Sequence, residues 1–275
     1  MRYSLRMVDG KEFKFIRCER VGRVLYVTLS RPEVLNAMND AMHVELNSAW
    51  TNFQTDPELS LAVLTGEGER SFSVGADLKE MASHRPADNG LASTFGSEGR
   101  PGSPRLTDRF DITKPIIAKV RGYALGGGLE LAMACDILIA SDDAVFGLPE
   151  VSRGLVAGAG GVFRLPRQIP PRIAAGYLLT GRTFGAPEAF QWGLVNEVVP
   201  TLELNGAVER WVRELSRVSP VALRATKQAM WSSLDIALPA AFTESFSEEE
   251  ARRRSSDAAE GPRAFAEKRT PNWTS

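Results

Sequence analysis

The chain has 275 residues, 43% hydrophobic and 24% charged, an ordinary balance for a globular protein long enough to bury a full core. With 33 Lys and Arg against 34 Asp and Glu the net charge is −1, so no general attraction to nucleic acid or an anionic membrane is expected. Two cysteines, Cys18 and Cys135, lie far apart and outside any CxxC pair, which argues against a disulfide framework or a zinc site and for the cytoplasm.

The N-terminal stretch has no apolar leader region, and Asp9 and Glu12 do not suit a transit peptide. Residues 13–17 and 24–29 read as two short strands with Gly22 between them, a hairpin pattern. Asn39 or Asp40 can cap a helix in which Met42, Leu46, Ala49, Trp50 and Phe53 recur at helical spacing. Residues 61–64 form an apolar strand candidate ahead of the turn signal TGEGE. After FSVGADLKEM, residues 86–105 are dominated by Gly, Pro and Ser and read as a mobile surface loop. Order returns with a β-like run at 116–120, a helix from Leu129 to about Cys135, and strands at 137–140 and 144–146. The apolar run 129–140 is too short to span a bilayer, and it carries Glu130 and Asp136.

Beyond Ile173 the chain reads as mainly helical, with stops at Gly181 and Gly193 and a start at Ser219-Pro220. Glu248, Glu249 and Glu250 precede Arg252, Arg253 and Arg254 at a spacing that suits i,i+4 pairs on an exposed helix. No period of 20 to 50 residues is evident. The pattern predicts an α/β fold with a helical C-terminal part.

Three features bear chemistry. The run GYALGGGLELAMACD puts three glycines before a helix, where free N–H groups and a partial positive charge would stabilise a carbonyl oxygen turning negative. By itself the run suits tight packing or a flexible turn better. Glu130 opens an otherwise apolar helix, which by itself fits an exposed first-turn glutamate. Glu150, in FGLPEVSRG, by itself fits a surface turn. His43 and His84 are the only histidines and no GxSxG elbow exists, so a serine triad has no support. Metal ligands are not clustered, and no metal is expected.

Together these segments resemble the enoyl-CoA hydratase/isomerase family, also called the crotonase family. The resemblance runs from Phe13 to Trp273 through six motifs in one order: SRPEVLNAMN, FSVGADLKEM, KPIIAKVRGYALGGGLELAMACD, FGLPEVSRGLVAGAGG, TGRTFGAPEAFQWGLVNEVV and EGPRAFAEKR. It implies a spiral of ββα turns over residues 1–200 carrying the active site. A helical region, 201–275, would serve oligomerisation and the CoA site. It also implies a homotrimer or a dimer of trimers acting on an acyl-CoA thioester, with no cofactor beyond the coenzyme A of the substrate.

The resemblance places an oxyanion hole at the backbone N–H groups of Ala76 and Gly127. It places acid–base work on Glu130 and Glu150. Contact with the thioester and CoA falls to Ala76, Asp77, Leu78, Lys79 and Gly127, and to Phe265 and Lys268 near the C-terminus. The implied reaction is hydration of a 2-enoyl-CoA in fatty-acid or related acyl-CoA catabolism. The C-terminal EGPRAFAEKRTPNW also resembles carnitinyl-CoA dehydratases, and an isomerase, a subunit of a β-oxidation complex, or a non-catalytic acyl-CoA- or RNA-binding homologue are the other readings. Ala157, Arg153 and Val74 depart from the common family pattern close to these positions.

Overall fold

The computed structural model describes residues 2–4, 7–8, 11–83 and 94–274, with side chains from residue 12 onward. Three short strands, β1 (Arg2–Ser4), β2 (Met7–Val8) and β3 (Lys11–Glu12), precede a hairpin of β4 (Ile16–Val21) and β5 (Val24–Leu29) that turns at Gly22, whose φ of +59° favours glycine. The expected strand at 13–17 thus begins later, at Ile16. The cause is Glu45 on helix α1 (Asp40–Thr55), whose carboxylate accepts the N–H groups of Lys14, Phe15 and Ile16 at 2.8, 2.8 and 3.1 Å. Asn39 caps α1, accepting from Met42 N–H at 2.9 Å, and Met42, Leu46, Ala49, Trp50 and Phe53 are all buried as the spacing predicts.

Three ββα turns follow. They are β6 (Leu61–Gly66), β7 (Ser71–Ser73) and α2 (Leu78–Ser83); β8 (Ile116–Val120), β9 (Tyr123–Leu125) and α3 (Gly127–Met133); and β10 (Ile137–Ser141), β11 (Val145–Gly147) and α4 (Gly161–Gln168). The first strand of each turn joins one sheet and the second joins another. After α5 (Pro171–Thr180) come β12 (Thr183–Gly185), α6 (Ala186–Gln191) and β13 (Glu197–Val199). One sheet has the order β1-β4-β5-β6-β8-β10-β13, parallel from β5 to β13, and the second has the order β12-β11-β9-β7. The turns begin at Leu61, Ile116 and Ile137, and this uneven spacing hides the repeat from the sequence.

Alternation along the parallel strands feeds two cores. Ala62, Leu64, Ala118 and Ala140 face the interior of the spiral, while Leu61, Val63, Ile117 and Ile139 face outward. Helix α7 (Leu204–Ser216) covers that outer face with Leu204, Ala207, Val208 and Val212.

Four helices close the chain: α8 (Pro220–Ser233), α9 (Leu238–Ala241), α10 (Ser247–Arg254) and α11 (Asp257–Ala266). Asp136 ties α8 to the spiral. Its carboxylate accepts from Lys227 Nζ at 2.7 Å, Trp231 Nε1 at 2.9 Å and Ile116 N at 2.8 Å. The acidic run of α10 behaves only partly as expected: Glu250 pairs with Arg254 at i,i+4, Glu249 pairs with Arg252 at i,i+3, and Glu248 turns to Arg224 on α8, 3.0 Å away.

Of the expected loop at 86–105, residues 86–93 lie outside the described residues, as does His84. Residues 94–105 pack closely, which differs from the expectation of a mobile loop. Gly96 N–H donates to Gly158 O at 3.1 Å, Asp108 accepts from both Ser97 N and Oγ, and Gly102 lies so near α1 that a Cβ would sit 2.3 Å from the His43 carbonyl. Gly102 serves close approach, while Gly96 and Gly99 supply positive φ angles of +78° and +73°. No helix among the described residues is long and apolar enough to cross a membrane.

Candidate active site

A cavity of about 680 Å³ opens where α1, α3, the 149–153 turn and the 94–107 segment meet. Glu130 reaches it from the first turn of α3 and Glu150 from the 3-10 turn after β11. Helix α3 begins at Gly127, two residues earlier than the sequence suggests, so Glu130 faces inward and is only 3% exposed. The exposed first-turn role is thereby excluded. Its Oε1 accepts Gly161 N–H at 2.8 Å, the first residue of α4.

Burial pushes the Glu130 carboxyl up to about 7; the Gly161 N–H opposes this and the charge of Glu150 adds to it. Glu150 is half-buried and is also raised, by burial first. Its Oε2 is buried without a hydrogen-bond partner among the described residues. Two carboxyls with shifted proton affinities in one cavity form the usual basis for acid–base work.

Above them β7 and β9 end side by side, and the chain after each strand carries a free amide. Met38 N–H takes Gly75 O and Asp77 N–H takes Met38 O, which leaves the intervening Ala76 N–H without a partner among the described residues. Gly127 N–H, at the start of α3, has none either. The two segments touch: a Cβ on Gly75 would sit 2.6 Å from Gly127 N, and one on Gly127 would sit 3.5 Å from Ala76 N.

The enoyl-CoA hydratase/isomerase family model matches residues 19–275. The chain belongs to that family. Over 262 residues it is 41% identical to the carnitinyl-CoA dehydratase of Salmonella arizonae, covering 94% of this chain and 97% of that one. Over 258 residues it is 40% identical to the carnitinyl-CoA dehydratase of Escherichia coli, covering 92% and 96%. The solved enoyl-CoA hydratase from Mycobacterium marinum superposes with a TM-score of 0.84 at 38% identity, covering 94% of this chain and 98% of that one. The enoyl-CoA hydratase structure from Mycobacterium tuberculosis gives 0.83 at 38%, with the same coverage. The fold is the crotonase fold, and the chain is an enzyme of the carbon–oxygen hydro-lyase type.

Within this crotonase, Ala76, Asp77, Leu78, Lys79, Gly127, Glu130 and Glu150 all line the one cavity. The Asp77 side chain is engaged elsewhere: it pairs with Arg31 at 3.0 Å and accepts the N–H groups of Lys79 and Glu80, which fixes the start of α2 and lowers its proton affinity. Leu78 is 44% exposed, which puts it at the mouth. Phe265 and Lys268 do not join the cavity of their own chain. Phe265 is 87% exposed at the end of α11, and Lys268 lies just beyond it with a φ of +54°.

Arg153 and Val74 line the cavity, while Ala157 is buried beneath it, its Cβ close to Gly161. Residues 94–107 add a wall the sequence did not place, including Thr94, Arg100, Arg105 and Leu106. Nothing in the residue pattern separates that wall from a surface loop. The role of Gly161 in holding Glu130 was hidden in the same way, inside the AGAGG run that reads simply as glycine-rich.

Proposed function

We propose that the chain adds water reversibly across the double bond of a 2-enoyl-CoA to give a 3-hydroxyacyl-CoA. The pairing of buried Glu130 with Glu150, beneath the unpartnered N–H groups of Ala76 and Gly127, carries this reading. The thioester oxygen sits between the two N–H donors, which draw electron density from the β-carbon. One such donor contributes roughly 2.7–4 kcal/mol to the transition state in other oxyanion holes. Glu130 takes a proton from water as it attacks the β-carbon, and Glu150 delivers a proton to the α-carbon. Glu130 therefore works ionised and Glu150 protonated, and its buried, unpartnered Oε2 suits a neutral carboxyl.

The CoA enters past Leu78 and Lys79. Phe265 and Lys268, exposed and outside the cavity, meet CoA from a neighbouring subunit in a homotrimer or a dimer of trimers. Exposed Leu234, Leu238 and Phe242 on the C-terminal helices supply apolar surface for that assembly. On this reading residues 1–200 carry the chemistry and 201–275 the assembly and CoA contacts. The reaction needs no cofactor beyond the substrate's own CoA and belongs to fatty-acid or related acyl-CoA catabolism. The two buried free cysteines suit the reducing cytoplasm.

A second reading is favoured by the 40–41% identity to carnitinyl-CoA dehydratases: the same chemistry run toward dehydration on a hydroxyacyl-CoA with a polar tail. Isomerisation needs only one carboxylate in sister enzymes, so the presence of both favours water addition. The test is absorbance at the enoyl-thioester band with crotonyl-CoA, beside a Glu130→Gln, Glu150→Gln double variant. Loss of the band with the unaltered chain alone, yielding 3-hydroxybutyryl-CoA, is the expected result. Equal loss with the double variant would remove the acid–base assignment.

A further inference from the structure

The cavity has a mouth and a deep end of different chemistry. At the mouth Leu78 is 44% and Val156 48% exposed, whereas the deep wall contains Trp50 at 0%, Leu46 at 4% and His43 at 9%. A thioester held between Ala76 and Gly127 with its CoA toward Lys79 must point its acyl chain at that deep wall. A plain alkyl tail would be matched by apolar side chains alone. Instead Arg100 and Arg105 line the cavity from the 94–107 segment, and the charge of Arg105 is felt at His43 on α1.

Several polar groups of this wall offer donors. Arg105 is half-buried, and burial lowers its proton affinity more than any neighbouring charge does. Its Nε and Nη2 both donate to Pro101 O, at 3.3 and 3.2 Å, and Nη2 is 3.5 Å from Asp40 Oδ1. Its Nη1 makes no hydrogen bond among the described residues. His43 is held neutral, pushed down to about 3 by burial and then by the charge of Arg105. Trp50 Nε1–H is buried with no partner among the described residues.

Among the described residues, the carboxylates that act on Arg105 stand behind the wall rather than in it. Asp40 pairs with Arg105, Glu80 accepts Asp40 N–H at 2.8 Å, and Asp108 accepts from Ser97 N and Oγ, and none of the three lines the cavity. Gly102, pressed onto the backbone of His43, locks the arginine-bearing segment against α1.

We propose that the deep end recognises an acyl tail ending in a carboxylate, so that the preferred substrate is a short dicarboxylic 2-enoyl-CoA, with Arg105 as the residue that determines this specificity. The inference rests on the acyl-CoA reading above and deepens it. Guanidinium is suited to the task, since it stays charged and offers several fixed N–H donors to the two oxygens of a carboxylate. The same wall disfavours a trimethylammonium tail, which requires carboxylates or an open aromatic cage and would here face the Arg105 guanidinium.

The experiment measures binding, so that it does not depend on turnover. Dissociation constants of glutaryl-CoA, butyryl-CoA and 4-trimethylammoniobutyryl-CoA are determined by calorimetry for the unaltered chain, Arg105→Gln and Arg105→Lys. Glutaryl-CoA is expected to bind about tenfold more tightly than butyryl-CoA, a preference that collapses in Arg105→Gln and is partly kept in Arg105→Lys. Equal or tighter binding of butyryl-CoA by the unaltered chain would overturn the tail assignment and leave the acyl-CoA reading standing. Tightest binding of the trimethylammonium analogue would overturn it in favour of a carnitinyl-type substrate. A glutaryl preference that survives in Arg105→Gln would remove Arg105 from the role. Binding of none of the three would overturn the acyl-CoA reading and this inference with it.

Discussion

The carboxylate of Glu130 accepts a hydrogen bond from Gly161 N–H, 2.8 Å away, so the first residue of α4 orients a buried side chain of α3. A Cβ on Gly161 would lie 3.0 Å from Glu130 Oε1 and 2.8 Å from the Ala157 Cβ, which makes this contact dependent on the missing side chain. The bond lowers the proton affinity of Glu130 while burial raises it, and burial wins.

Replacing either carboxylate is therefore expected to act on chemistry rather than on binding. Glu130→Gln or Glu150→Gln should lower kcat by about 10²–10⁴-fold, the usual range for a general acid or base. Binding of a saturated acyl-CoA should change little. Steady-state kinetics with crotonyl-CoA together with calorimetry checks both halves.

The dependence of kcat/KM on pH follows from the same groups. The proposed reaction needs Glu130 ionised, so activity should fall as pH drops through about 7, where that carboxyl takes up its proton. Glu130→Gln should abolish the acid limb, and a limb that persists unchanged would assign it to another group.

Stability should move the opposite way from activity. Glu130 has a higher proton affinity folded than unfolded, so its neutral form favours the native state. That contribution is fully present below about 4.5 and is lost as pH rises through about 7. Glu130→Gln keeps a neutral acceptor for Gly161. It should raise the stability at pH 8 by roughly 1–3 kcal/mol relative to the unaltered chain, with little change at pH 4.5. Urea denaturation at the two pH values measures it.

Gly75→Ala should damage the proposed oxyanion hole directly. The position has a φ of +86°, and a Cβ would sit 2.6 Å from Gly127 N. Spreading the two donors is expected to lower kcat by about 10²–10³-fold, the loss seen when one such donor is removed. Far-ultraviolet circular dichroism of the same sample verifies that the fold survives.

The link between α8 and the spiral makes a separate target. Lys227 and Asp136 are only 14% and 11% exposed at their side chains, and they meet at 2.7 Å. Lys227→Met leaves Asp136 with its Ile116 and Trp231 partners but without a balancing charge. It should destabilise the chain by about 2–4 kcal/mol, somewhat below the full effect of breaking a buried pair. Faster hydrogen exchange confined to α8 and α10 would be the accompanying sign.

The sequence made the local elements legible where one side chain or one glycine decides them. Asn39 capping α1, Gly22 turning the hairpin and Ser219 starting α8 were all readable. Glu130 and Glu150 could be named only through motif order, because neither carries a local sign of burial; the inward turn of Glu130 depends on α3 starting at Gly127. The arginine wall was illegible for a related reason. Residues 94–105 have the composition of a loop, and their order comes from contacts distant in sequence, with Gly158 and with the backbone at His43. Which face of the parallel strands α7 covers depends on register between strands far apart in the chain.

The contact between Gly75 and Gly127 has a broader consequence. The segments carrying Ala76 and Gly127 follow neighbouring strands, β7 and β9, of successive turns, so the gap between their amides is set by how one turn stacks on the next. That spacing is set by the sheet rather than by anything outside the repeat. The arginine wall arrives from outside the repeat, on the stretch inserted between α2 and β8. On the proposed reading activation and selection are built separately, so that a change of insert would redirect the enzyme to another tail without touching the seam assigned to the thioester.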